Sequence, residues 1–403
     1  MRPATLDPTK MGCEAQSLEA NLRSRVVGQA EAVEHIANVY QTYLSGMTSP
    51  GRPVASFLFL GPTGSGKTRV VEATAECLLN NPRANNPRAV IKIDCAEFQH
   101  SHEIAKLIGS PPGYLGHQDT KPALSQEAID QHHTDTVKIS IVLFDEIEKA
   151  SDAVWNLLLG ILDKATLTLG DNRKVDFSHT MIFMTSNAGA TEINAILRPR
   201  LGFASSGREY QDLGETDEDL SNKMSSAGLE AVRRRFPPEF INRLDKIVVF
   251  KPLGKEELRR IVDIELQIVQ ERIFRTTLGR PFVLSVTEAG KEFLLQQGTN
   301  LNYGARYLKR AIDRLVVQPI SNLIATDQIV SGDAIRIDHP PGSPSMDFSL
   351  EGEALPLPHM TKLTSYCVAY PPPPLRPPLK GTLNPSLGPT LQIFGMLGFL
   401  DCD

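Results

Sequence analysis

Short apolar runs separated by helical stretches set the rhythm of roughly the first 250 residues. Val54–Leu60, Val90–Asp94, Ser140–Phe144, Thr180–Thr185 and Lys246–Phe250 are rich in Val, Ile, Leu and Phe. Their positions are apolar in succession and do not alternate, which suits strands covered on both faces. Alternation of such strands with helices predicts a parallel sheet and an α/β fold. Val33, Ile36, Tyr40, Tyr43 and Leu44 recur at helical spacing and predict a helix after Gly28. Thr48–Pro53 carries Gly and Pro and predicts a loop. Residues 1–21 are polar without a clear pattern and read as a flexible leader.

Leu253 opens a second unit. Leu258, Ile261, Ile264 and Ile268 share one helical stripe, which Val262, Leu266, Val269 and Ile273 widen. A strand near Phe282–Val286, two further helices and a last strand at Ala334–Ile337 complete it. The pattern therefore predicts a large domain over 22–252 and a small, mostly helical domain with short strands over 253–338. From His339 onward the chain holds 13 of its 29 prolines, including the run Pro371–Pro374. Such composition opposes continuous helix or sheet, so 339–403 reads as a proline-rich disordered tail.

Composition narrows the function classes. Hydrophobic residues are 41% and charged residues 22% of the chain, and the net charge is −5. Mild acidity argues against a general nucleic-acid binder, since that class carries a basic surface. Cys13, Cys77, Cys95, Cys367 and Cys402 form no C-x-x-C pair, and reduced thiols are expected. The N-terminus has no apolar signal region, and no stretch approaches a membrane-spanning length. A cytoplasmic protein is expected. His100, His102, His117, His132 and His133 lack the carboxylate or cysteine spacing of a metal site.

The chemistry centres on Gly61-Pro62-Thr63-Gly64-Ser65-Gly66-Lys67-Thr68, a full G-x-x-x-x-G-K-[ST] phosphate loop between a strand and a helix. The glycines let backbone N–H groups turn inward to cradle phosphate oxygens, and the following helix presents its N-terminus. Lys67 is expected to reach the β- and γ-phosphates of ATP, and Thr68 to bind Mg²⁺. The run Ile141–Phe144 ends in Asp145 and Glu146, which a parallel sheet places at its carboxyl edge. Asp145 is expected to hold Mg²⁺, directly or through water. Glu146 is the candidate general base that polarises the attacking water.

Seven motifs occur in one order. They are Val26-Val-Gly-Gln29, the phosphate loop, Ile108-Gly-Ser-Pro-Pro-Gly-Tyr-Leu-Gly116, Phe144-Asp-Glu-Ile-Glu-Lys-Ala150, Met184-Thr-Ser-Asn187, Pro238-Glu-Phe-Ile-Asn-Arg-Leu-Asp245 and Tyr303-Gly-Ala-Arg306. Over about residues 22–338 the chain resembles the C-terminal AAA+ module of the Clp proteins ClpA, ClpB and ClpC. The resemblance implies a ring-forming, hexameric ATPase whose small domain is a lid. It implies that Val26 and Val27 pack on adenine, Asn187 is sensor 1, Arg243 is an arginine finger acting on the neighbouring subunit, and Arg306 is sensor 2. An ion pair of Arg243 with Asp245 or Glu239 is the plainer alternative. Tyr114 and Leu115 would line a pore that grips protein substrates, and Leu201-Gly202-Phe203 would dock a ClpP-like peptidase. The chain departs from the family in having one such module where these relatives have two. Pro237 also replaces the basic residue of F-R-P-E-F. A regulatory ATPase remodelling one dedicated partner and a nucleic-acid-linked motor are the alternatives.

Overall fold

The computed structural model describes residues 7–79, 89–110, 122–134, 137–197, 217–276, 281–298 and 305–351. Five strands form the main sheet: β1 (Ala55–Leu60), β2 (Val90–Asp94), β3 (Ser140–Asp145), β6 (Thr180–Ser186) and β7 (Lys246–Val249). Their order is β2-β3-β6-β1-β7, and every neighbouring pair is parallel. Each expected strand is therefore present, shifted by a residue at some ends. The three central strands are buried almost throughout, as their unbroken apolar runs require, while the edge strands β2 and β7 are partly exposed.

Alternation along the central strands splits the core in two. Phe57, Phe59, Ile141, Leu143, Met181 and Phe183 face helices α1 (Cys13–Arg25), α2 (Ala30–Leu44) and α3 (Lys67–Leu78). Phe57 and Phe183 stack at 5.1 Å, and Phe59 leans on Phe250 at 4.8 Å. Leu58, Leu60, Val142, Phe144, Ile182 and Met184 face the other way, onto the helix Asp152–Lys164. That side also carries a hairpin, β4 (Thr166–Thr168) with β5 (Lys174–Asp176), whose three-residue strands are too short to register as a pattern.

Two expectations need correction. The segment expected to be a flexible leader folds: α1 buries Ala15, Leu18 and Leu22 against α2 and α3. Its apolar stripe is one residue wide per turn, and polar neighbours mask it. The small domain also runs past Asp338. Its sheet holds β8 (Val283–Val286), β9 (Ala334–Asp338) and β10 (Asp347–Leu350), ordered β10-β9-β8. The third strand lies in the segment expected to be disordered. It returns antiparallel along β9 and pairs Phe348 with Ile337. On the way His339 stacks on Phe293 at 3.9 Å, and Met346 is buried among the helices of the unit. Three prolines in 340–344 conceal this return, because they shape the turn and not the strand. Residues 352–403, with the run Pro371–Pro374, lie outside the described residues.

The small domain has its own core, led by Val262, Leu294, Val316 and Ile337. Among the described residues no helix is long and apolar enough to cross a membrane.

Truncation after Asp338 removes β10, the Met346 side chain and the His339 stack together. The loss should equal or exceed a large-to-small core substitution, about 2–5 kcal/mol. A clear fall in the midpoint of thermal unfolding is expected by calorimetry. An unchanged midpoint would show that 339–351 contributes nothing to the fold.

Candidate functional site

The loop Gly61–Gly66 leaves the carboxyl end of β1 and runs straight into α3. Its conformation demands glycine at two points. Gly61 has φ 144°, and a Cβ there would sit 2.7 Å from the carbonyl oxygen of Phe250. Gly66 takes φ 96° in the left-handed region and starts α3. Ser65 Oγ is buried without a hydrogen-bond partner, a donor left for something the protein itself does not supply.

Lys67 is 8% exposed and folds back over the loop. Its Nζ donates to Gly61 O at 2.7 Å, Pro62 O at 3.0 Å and Asn187 Oδ1 at 3.0 Å. Burial lowers its pKa to about 8, against the attraction of Glu148, Asp145 and Glu146. The charge of Arg306 works in the same direction as burial.

Asp145 ends β3 on the α3 side of the sheet, because it continues the Ile141, Leu143 face. It accepts from the Thr185 hydroxyl on β6 and from Lys92 Nζ at 2.7 Å. Burial pushes its carboxyl up. The Lys92 and Thr185 hydrogen bonds and the Lys92 and Lys67 charges outweigh this and hold it below the usual carboxylate range. Glu146 follows in the left-handed region at φ 56°, a strain of about 1–3 kcal/mol for a non-glycine residue. That turn sends its carboxylate away from the strand to pair with Lys149. Its N–H donates to Thr185 Oγ1 at 3.1 Å. One threonine hydroxyl thus ties both acidic residues to the neighbouring strand.

Asn187 follows β6. Its Oδ1 meets Lys67, and its N–H donates to Glu148 Oε1 at 3.1 Å. The structure therefore brings Lys67, Asp145, Glu146 and Asn187 to one edge of the sheet. Arg306 opens the helix Ala305–Ile312 of the small domain, where the N–H of Ala305 donates to Gly64 O at 3.3 Å. Val26 and Val27 are buried between α1 and α2.

Arg243 is paired elsewhere. Its Nε lies 2.7 Å from Asp163 Oδ1 on the helix Asp152–Lys164, so neither Asp245 nor Glu239 is its partner. Asp245 instead accepts from Ser56 N and Ser56 Oγ, both at 2.7 Å. Trp155 packs edge-on against Phe240 at 4.7 Å and tilted against Phe236 at 5.1 Å, which fixes the turn ahead of Arg243. Tyr114, Leu115 and Leu201-Gly202-Phe203 lie outside the described residues.

Four residues without an assigned role emerge at the site: Gln29, Lys92, Glu148 and Thr185. Gln29, Glu148 and Thr185 stand inside quoted motifs, where each could have been singled out. Lys92 carries no signal in one sequence. Gln29 is 6% exposed, and its amide nitrogen donates to Ser65 O at 3.0 Å and Lys251 O at 2.9 Å.

The loop, its buried ammonium, the orphaned Ser65 hydroxyl and the paired strand-end carboxylates fit a nucleoside polyphosphate with a divalent cation. Among the described residues no group of three or more His, Cys, Asp or Glu is arranged as a metal site. Mg²⁺ held through phosphates, one hydroxyl and one carboxylate requires no such group.

Comparison with known proteins gives the same picture. Residues 52–247 match a family model described as AAA domain (Cdc48 subfamily), and residues 253–337 match the C-terminal, D2-small domain of ClpB protein. The ATP-binding subunit ClpC of a Clp protease from Staphylococcus saprophyticus is 37% identical over 323 residues, 80% of this chain and 36% of that protein. Chaperone protein ClpB 1 of Thermosynechococcus vestitus is 38% identical over 328 residues, 81% of this chain and 34% of that protein. The chain thus spans about a third of the length of these curated relatives. Two solved Hsp104 structures, a closed state with ATPγS and FITC casein and an ADP complex from S. cerevisiae, each align with a TM-score of 0.66 at 30% identity. They cover 84% and 83% of this chain, and 52% of each Hsp104 chain. With two models following one another over 52–337 and relatives matched over four fifths of the sequence, the chain belongs to the Clp family of AAA+ ATPases.

Proposed function

We propose that this chain hydrolyses ATP in a hexameric ring and spends the energy on unfolding, threading or remodelling protein substrates. The observation that carries the ATPase half is the Lys67–Asn187 contact beside Asp145 and Glu146. It supports reading Lys67 as the phosphate-binding cation, Asn187 as the amide that orients water, Asp145 as the metal carboxylate and Glu146 as the base, since all four lie at one sheet edge. The backbone of Gly61–Thr68 and the Lys67 ammonium would hold the phosphates, and Thr68 with Asp145 would hold Mg²⁺. The bound metal would neutralise charge on the phosphates. Glu146 would accept the proton of the attacking water once Lys149 releases its carboxylate. Asn187 would orient that water. Val26 and Val27 would face adenine, and Arg306 would reach the nucleotide from the lid. Arg243 would leave Asp163 and act on the nucleotide of the adjacent subunit, which makes the ring part of the active site.

Family membership and the ClpC, ClpB and Hsp104 relatives support the protein-remodelling half. Tyr114 and Leu115 would grip an extended polypeptide by apolar and stacking contact. Leu201-Gly202-Phe203 would offer a docking loop to a ClpP-like peptidase.

Glu146→Gln should bind ATP normally and lose turnover by at least about 10²-fold, as removal of a general base does. Normal hydrolysis by that variant would remove Glu146 from the mechanism.

The pH dependence of binding has a definite sign. Lys67 with a pKa of about 8 is charged below that value and neutral above it. Phosphate prefers the charged form, so nucleotide affinity should be flat below about pH 8 and fall above it by up to about tenfold per pH unit. Fluorescent-nucleotide titrations should show the fall in wild type and none in the weakly binding Lys67→Ala. Equal slopes in both would assign the effect to another group.

Stimulation of ATPase activity by an unfolded protein, single-stranded DNA or RNA tests the substrate. Unfolded protein should stimulate wild type and Tyr114→Phe, whereas Tyr114→Ala should keep basal turnover and fail to unfold a tagged reporter. Stimulation by nucleic acid alone would overturn the proposal.

A further inference from the structure

Lys92 stands on the edge strand β2 opposite Leu143 of β3, two positions short of the Asp94–Asp145 pair. Residues two apart on a strand share a face, so Lys92 and Asp145 are diagonal neighbours, within reach of a long side chain. The contact is made: Lys92 Nζ lies 2.7 Å from Asp145 Oδ2. The other oxygen, Oδ1, already accepts from the Thr185 hydroxyl. Both oxygens of Asp145 are therefore committed within the protein.

We infer that Lys92 sets the affinity of the site for its divalent cation by competing for the Asp145 carboxylate. The inference rests on Asp145 as the metal carboxylate proposed above. A cation and an ammonium cannot share that carboxylate without repulsion, whether the metal binds directly or through water. Lys92 is the movable competitor. Its side chain is 49% exposed, against 17% for Asp145, so it can leave without burying charge. It also has a place to go: a cavity beside β2 is lined by Lys92, Asp94 and Glu97, with Lys106 the one further charged group in its wall. The two carboxylates there can receive the displaced ammonium. Thr185 has no such freedom, because its hydroxyl also accepts the Glu146 N–H. Lys92 thus acts as an internal stand-in cation that holds Asp145 in place until metal arrives, at the cost of weaker metal binding.

The test is Mn²⁺ binding to the full chain with ADP, followed through loss of the free-Mn²⁺ signal in electron paramagnetic resonance. Lys92→Met keeps the reach and removes the charge. It should bind Mn²⁺ on the order of tenfold more tightly, the effect of deleting one partly solvated charge beside a divalent ion. Lys92→Arg keeps the charge and should stay within about twofold of wild type on the same grounds. Unchanged or weaker Mn²⁺ binding in Lys92→Met overturns the inference, as does equal tightening in both variants. Asp145→Asn separates the two levels of the argument. If it weakens Mn²⁺ binding while Lys92→Met has no effect, the competition alone fails. If it leaves Mn²⁺ binding unchanged, Asp145 is not the metal carboxylate and both fail.

Discussion

Parallel strands deliver their carboxyl ends to one edge, and the polar groups gathered there have to be neutralised before the chain can close around them. Here that edge collects Asp145, Glu146, Glu148, Asn187 and Lys67 in partial or full burial. The protein answers with internal cations. Lys92 meets Asp145, Lys149 meets Glu146, and Lys67 meets the loop carbonyls and Asn187. Partly buried charges left without partners would be costly. Pairing of Asp145 and Glu146 with lysines is therefore a condition of folding as well as a starting point for chemistry. Any ligand carrying phosphates and a metal must exchange these internal contacts for its own.

The two cores flanking the sheet make that edge rigid. Phenylalanines from β1 and β6 interlock on the α3 side, and Leu58, Leu60, Val142, Phe144, Ile182 and Met184 fill the opposite face. Asp245 contributes from a distance by clamping Ser56 at the other end of β1. The phosphate loop thus hangs from a strand fixed at its start by a carboxylate and along its length by close-packed rings.

Much of this was legible in the sequence, for identifiable reasons. Long apolar runs such as Ile141–Phe144 and the phosphate loop have only one economical reading, and the strands and Lys67 lie where those signals put them. The misses share a cause. The stripe of Ala15, Leu18 and Leu22 is too narrow to register, and β10 follows a proline-rich turn that dominates local composition. Thr185 and Lys92 act across strands, on partners 40 and 53 positions away in sequence. Periodicity carries no information about such pairs. The pairing of Arg243 with Asp163 was missed for the same reason, since proximity in sequence pointed to Asp245 and Glu239.

Gln29 has a consequence of a different kind. Its single amide touches Ser65 in the phosphate loop and both the carbonyl and the N–H of Lys251, just before the chain enters the small domain. The Lys92–Asp145 and Lys149–Glu146 contacts at the site are ion pairs, and ion pairs weaken with salt and change with pH. An amide does neither. The link between the phosphate loop and Lys251 therefore does not depend on the charges that hold the rest of the site. Salt and pH can loosen the ion pairs at the sheet edge while this tie between the loop and the end of the large domain holds.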